Sequence, residues 1–262
     1  MKLKNYVLIS LVTGAAVLAQ GPPPGGRGFG MGGPGPGFGP HGGKVVAGAP
    51  YKANVSMTRV ETLADGNTIQ QTATGTVARD SQGRTYSLET SNGGPLGQTG
   101  PVTRIAIFDP VAGYMYEINT TEKTATRRAV HVPSASSMAS GKNGGHWKGG
   151  PEAAAAMKTD LGTSVIAGVS ATGTKTTHTL AAGAIGNSGP IVSTSETWYS
   201  PELQIVVSSK HSDPRAGEMT YTLSNIERSE PSAALFQVPS GYTITDAPKG
   251  GRGFGPPPPP QE

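Results

Sequence analysis

The chain has 262 residues, 35% of them hydrophobic and only 6% aromatic, with 39 glycines, 23 prolines and no cysteine. That cysteine count excludes disulfides, thiolate metal sites, a cysteine nucleophile and a lipid-modified N-terminal cysteine. Charge excludes nucleic acid as a partner: 21 basic and 17 acidic residues give +4, Lys2 and Lys4 fall in a leader, and the remaining +2 forms no dense basic stripe.

The leader comes first. Lys2 and Lys4 form a positive n-region, and residues 6–18 an apolar stretch too short and too early for a membrane span. Val17-Leu18-Ala19 is a small-residue cleavage site, so residues 1–19 read as a signal peptide; the competing reading is an uncleaved anchor. Residues 20–43 and 248–262 are tails made almost entirely of Gly and Pro, and Gly25-Gly-Arg-Gly-Phe-Gly30 recurs unchanged at 250–255. Such composition buries too little apolar surface to offset the entropy of ordering, which predicts two disordered tails. They read as flexible linkers, or as adhesive tails whose Arg and Phe contact polymers or surfaces by stacking and cation–π attraction.

Between the tails, residues 44–247 suffice for one domain with its own core. Turn signals recur at short intervals: Ala64-Asp-Gly-Asn67, Asp80-Ser-Gln-Gly83, Asp109-Pro-Val-Ala-Gly113, Thr120-Thr-Glu-Lys123, Ser200-Pro-Glu202 and Asp213-Pro-Arg-Ala-Gly217. The β-rich segments between them are 51–63, 68–79, 84–90, 103–108, 114–119 and 124–132, then 161–170, 174–180, 191–199, 203–210 and 218–228. Their spacing predicts an antiparallel meander of about eleven strands. Alternation names the inward side chains: Ile105 and Ile107; Tyr114, Tyr116 and Ile118; Met219, Tyr221 and Leu223. Thr and Ser fill many other strand positions, so one apolar face is what this supply fills. Pro151-Glu-Ala-Ala-Ala-Ala-Met-Lys158 predicts a helix after a loop at 134–150, and residues 231–236 one further helical turn.

Point chemistry finds little footing. His41, His131, His146, His178 and His211 stand at no metal-ligand spacing, and no Gly-x-Ser-x-Gly or Ser-x-x-Lys set is present. Glu196 and Glu202 flank Trp198-Tyr199, a carboxylate pair beside aromatics that suggests glycoside chemistry, but each also reads as a solvated strand or turn residue. No strand–Gly-x-Gly-x-x-Gly–helix unit supports a nucleotide, and Asn54-Val-Ser and Asn119-Thr-Thr match glycosylation acceptors at chance frequency. The residues left to contact a ligand are Phe108, Tyr114, Tyr116, Trp198 and Tyr199, which either line a concave apolar surface or make up the core. No catalytic residue, metal ligand or cofactor site is assigned.

Several segments resemble those of a family of exported bacterial proteins: Asp109-Pro-Val-Ala-Gly113 with Tyr116 and Lys123-Thr-Ala125, Leu161-Gly-Thr-x-x-Ile166-x-Gly168, and Trp198-Tyr-Ser-Pro-Glu-Leu203 through Ser212-Asp-Pro-Arg215. The ending Phe236-Gln-Val-Pro-Ser-Gly-Tyr242 resembles the closing strand of the lipoprotein-carrier (LolA/RseB-like) superfamily. The resemblance implies an α+β fold, mostly antiparallel: a curved open half-barrel with one or two short helices. It carries over architecture, and no ligand-contacting residue maps across. The expected function is that of an exported, non-enzymatic envelope protein, periplasmic or extracellular, binding a lipid, a lipidated ligand or another apolar group on the sheet's concave face. The alternative is a structural or adhesive module whose tails contact an envelope polymer or protein. A hydrolase is the third reading, and it lacks a nucleophile–base arrangement.

Overall fold

The computed structural model describes residues 45–92, 100–130 and 155–247. The expected signal peptide, both Gly/Pro tails, the expected 134–150 loop, the first four residues of the expected helix, and His41, His131 and His146 lie outside the described residues.

The described chain forms twelve strands: β1 (Tyr51–Thr62), β2 (Thr68–Arg79), β3 (Thr85–Asn92), β4 (Pro101–Asp109), β5 (Tyr114–Asn119), β6 (Thr124–Ala129), β7 (Ala155–Ile166), β8 (Val169–Leu180), β9 (Ile191–Ser200), β10 (Ile205–Asp213), β11 (Gly217–Glu227) and β12 (Thr243–Asp246). One 3-10 turn, Ala233–Phe236, precedes β12. The turns follow from their aspartates. Asp80 Oδ1 accepts from the N–H groups of Gln82 (3.0 Å) and Arg84 (2.8 Å), Asp109 Oδ1 from Val111 and Ala112, and Asp213 Oδ1 from Arg215. Each side chain thereby supplies the acceptor that a tight reversal leaves unmet in its own backbone.

Two expectations are corrected. Residues 155–158 are the start of β7, not a helix: Ala155 pairs with Thr179 and Met157 with Thr177, and ladder formation with β8 overrides the helix propensity of Ala, Met and Lys. Residues 161–170 are not one strand but the tip of a hairpin, with Ala167 (φ 50°) and Gly168 (φ 83°) as its two turn residues between Ile166 and Val169. The eleven expected strands become twelve because the closing segment adds β12, which pairs parallel with β6.

All twelve strands join one sheet in the order β12-β6-β5-β4-β3-β2-β1-β11-β10-β9-β8-β7. The sheet is open: β12 lies at one edge and β7 at the other. Two meanders, β1–β6 and β7–β11, meet at the β1–β11 pairing, where Asn54 faces Ser224 and Met57 faces Tyr221.

The apolar face changes sides along this sheet. One row of cross-strand partners runs Leu223–Val55–Gly75–Glu89–Arg104; the adjacent row, on the opposite face, runs Ser224–Asn54–Thr76–Leu88–Ile105–Ile118–Ala125–Ile244. The first row is apolar at β1 and β11 and charged at β3 and β4, and the second is polar at β11 and β1 and apolar from β3 onward. The sheet therefore has two cores, and β4 buries side chains on both faces, Ile107 on one and Ala106 and Phe108 on the other. The larger joins Tyr51, Ala53, Val55, Met57, Ala73 and Val77 of the first meander to Val169, Ala171, Leu203, Val207, Tyr221 and Leu223 of the second. The smaller is Ile107, Ile118 and Ala125, with Tyr86, Ile105, Tyr116, Val238 and Tyr242 packed against it. The changeover sits at β2–β3, where a Cβ on Gly75 would fall 1.8 Å from the Leu88 carbonyl oxygen. Only glycine lets the two backbones approach so closely there.

The cores are closed differently. Over β3–β6 the cover is the C-terminal segment: the 3-10 turn touches β3 and β4, Phe236 is buried under the Arg84 guanidinium (5.2 Å to the ring centroid), and Val238 and Tyr242 lie on the smaller core. At the larger core the β9–β10 turn reaches the end of β2, where the Arg79 guanidinium meets the Leu203 carbonyl.

Candidate ligand-binding surface

The five aromatics singled out from the sequence fall into three places. Phe108 is buried on β4, between its cross-strand partners Thr85 and Met115, on the face opposite Ile107. Tyr114 and Tyr116 share the other face of β5 with their rings 6.3 Å apart, and the Arg127 guanidinium caps Tyr114 at 4.8 Å. Arg127 is itself tied to Asp246 (2.8 Å), which clips β12 to β6 beside the tyrosine pair. Trp198 and Tyr199 lie on β9, in the other meander.

Trp198 is a half-buried ring lying over a glycine. A Cβ on its cross-strand partner Gly173 would meet the ring at 2.7 Å, and Leu161 stands on the same spot. Its indole N–H donates to Glu196 Oε1 at 2.8 Å. Glu202 is bound to Arg228 (3.1 Å), so each carboxylate flanking Trp198-Tyr199 has a partner of its own.

Sequence reasoning missed the most unusual polar group in the fold. Arg79 is buried at the end of β2, and its guanidinium donates to two backbone carbonyls: Ala49, from Nε at 3.0 Å and from a terminal nitrogen at 2.7 Å, and Leu203. The guanidinium stands 5.0 Å over the Tyr51 ring. Burial pushes Arg79 below its ordinary value, opposed by the Tyr51 and Tyr199 hydroxyls; burial likewise pushes Tyr51 and Tyr221 up. The only sequence signal was position, a cation at a strand end opposite an aromatic. This arrangement is a structural latch: it fastens the first meander to the second through main-chain acceptors that would otherwise be buried without donors.

A cavity of about 450 Å3 lies where β1 ends against the β10–β11 turn, lined by Val60, Glu61, Ser212, Asp213, Arg215 and Glu218 among others. Each of its carboxylates meets a cation: Glu61 with Arg59 at 3.6 Å, Asp213 with Arg215 at 2.7 Å, and Glu218 with Lys210 at 2.9 Å. Those charged walls suit a polar guest better than an acyl chain. His178 and His211 stand on β8 and β10, and no cluster of three or more metal-ligating side chains occurs among the described residues.

Exposed apolar side chains gather elsewhere. Of the nine large hydrophobics that are exposed among the described residues, five lie on β7–β9 or the loop within it: Met157 (63% exposed), Val165 (73%), Ile185, Val192 and Tyr199. Among the described residues no helix is long and apolar enough to cross a membrane.

No family model and no curated protein matches the chain. Solved structures similar to it include the Pseudomonas aeruginosa MucA/MucB complex, at 11% identity and a TM-score of 0.36 over 72% of this chain and 56% of that one. LprF from Mycobacterium bovis is similar at 14% identity and a TM-score of 0.30, over 71% of this chain and 90% of its own. A LolA-superfamily protein from Nitrosomonas europaea is similar at 8% identity and a TM-score of 0.29, over 72% and 90%. The chain thus spans little more than half the length of the MucA/MucB-complex chain it matches.

Proposed function

We propose that this chain is a non-enzymatic envelope protein that takes an apolar ligand, a lipid or its acyl chain, against the β7–β9 arm of its open sheet, with Trp198 and Tyr199 among the contacts. The observation that carries this reading is the concentration of exposed large apolar side chains on that arm. The register sets Tyr199 with Val165 on one face of that arm and Trp198 with Met157 and Val192 on the other. Large apolar groups left in water on a sheet otherwise faced with Thr and Ser mark surface meant to be covered. The polar cavity at the end of β1, by contrast, has its charges paired. The leader at 1–19 supports the envelope setting. The engaged states of Glu196 and Glu202 favour binding over glycoside chemistry.

The test is native mass spectrometry of the mature chain purified from a cell envelope, paired with titration of an apolar fluorescent probe. Co-purifying lipid is expected, and Trp198→Ala, on the face of Met157 and Val192, should weaken probe binding about fivefold or more, with Tyr199→Ala reporting on the opposite face. A mature chain that arrives ligand-free and takes up no probe sinks the proposal.

A second reading rests on the unchanged repeat of Gly-Gly-Arg-Gly-Phe-Gly in both tails. Under it the tails do the contacting. Deleting both copies should abolish association with surfaces or polymers while leaving the unfolding temperature in place; association that survives the deletion ends this alternative.

A further inference from the structure

We infer that β7 is the pairing edge of a symmetric dimer, in which the same strand of a second copy adds antiparallel to it about a two-fold axis at Thr159. β7 is twelve residues long and ends the sheet, with β8 as its one strand neighbour. Among the described residues nothing packs on its outer side, and residues 156–160 and 162–165 are all exposed. A long, uncovered edge offers a row of unpaired N–H and C=O groups to another strand. The opposite edge is protected: β12 has four residues, and the Arg127–Asp246 ion pair lies along it.

The occupant is argued from charge and shape. Pairing about Thr159 sets Lys158 of each copy opposite Asp160 of the other, twice by symmetry, and brings Met157 beside the bulged Leu161. Lys158 forms no ion pair among the described residues, and Asp160 engages only the N–H of Gly162, at 2.8 Å within its own strand. Both charges are therefore available to a partner. Met157 is among the most exposed large apolar side chains of the described residues, and the pairing covers it. The β-bulge between Asp160 and Gly162 leaves Leu161 as the extra residue, so the regular part of the pairing centres on Lys158, Thr159 and Asp160.

The experiment is sedimentation equilibrium on the mature chain and two single charge reversals. Wild type should dimerise, and K158E and D160K alone should each weaken the dimer about tenfold or more, because like charges then face each other at both symmetry-related positions. An equimolar mixture of K158E and D160K should associate again. In that mixed dimer the carboxylate introduced at position 158 of one copy meets the ammonium introduced at position 160 of the other, and the native Lys158 and Asp160 that remain meet each other. Unfolding temperatures establish that the variants are folded; if D160K is destabilised through its bulge, K158E alone decides the matter. A wild type that stays monomeric to about 0.3 mM, a K158E that dimerises as wild type does, or a mixture of folded variants that fails to associate overturns the inference. Probe binding measured on the same samples separates this outcome from the fate of the apolar-ligand proposal.

Discussion

The β4–β6 end of the sheet and the β7–β9 end occupy equivalent outer positions, and the chain treats them differently. At the first, the C-terminal segment folds back, lays Val238 and Tyr242 over Ile107 and Ile118, and closes the edge with a short strand. At the second, Met157, Val165 and Val192 face solvent and the edge strand runs twelve residues without cover from the described residues. One end has its partner within the described chain; the other presents the surfaces of a protein that expects company. Both the proposed ligand surface and the proposed pairing edge lie where the described fold stops covering itself.

The comparison breaks most severely at the changeover between the two cores. Gly75→Val would drive a side chain into the Leu88 carbonyl and should cost more than about 4 kcal/mol, or prevent folding, in urea denaturation. Next comes the covered end against the bare one. Phe236→Ala should destabilise by about 3 kcal/mol, whereas Val165→Ala on β7 should change stability by less than about 0.5 kcal/mol. Equal losses at the two positions would show that the arm at β7 is packed in solution. Arg79→Met should cost about 2 kcal/mol by leaving the Ala49 and Leu203 carbonyls without donors, with hydrogen exchange rising in both meanders at once.

The smallest effect is in the pH dependence. Burial raises Tyr51 and Tyr221 above their ordinary value of 10.0, so the unfolded chain releases these protons first. The stabilisation is complete below about pH 10 and is lost as pH rises from there through the raised native values. Stability measured from pH 9 to 11 should fall, and Tyr221→Phe should make that fall shallower. A slope unchanged by the substitution would place the alkaline sensitivity elsewhere.

Most of the strand plan was legible because aspartate turns are local. Asp65, Asp80, Asp109 and Asp213 each accept from backbone N–H groups within four residues, and the strands between those turns lie within a few residues of where their composition places them. The two local failures share a cause. Residues 155–158 have helix-forming side chains, and Ala167 is an ordinary L-residue at positive φ, so only pairing with β8 reveals the hairpin. What stayed hidden depends on distant partners: Arg79 meets Leu203, Arg127 meets Asp246, and the apolar face changes sides at a glycine whose neighbour arrives from another strand. Among the candidate aromatics, alternation placed Tyr116 correctly against Ile118, but no pattern within β9 shows that Trp198 rests on Gly173.

The central pairing of the sheet also sets a clock. β1 is the first strand made, and one of its two neighbours, β11, is nearly the last, so Met57 waits for Tyr221 until almost the whole chain is available. β12 must then travel back to β6. Contacts this distant in sequence make folding slow, on the millisecond-to-second scale. Until β11 is made, β1 has β2 as its one strand neighbour and the larger core lacks Tyr221 and Leu223.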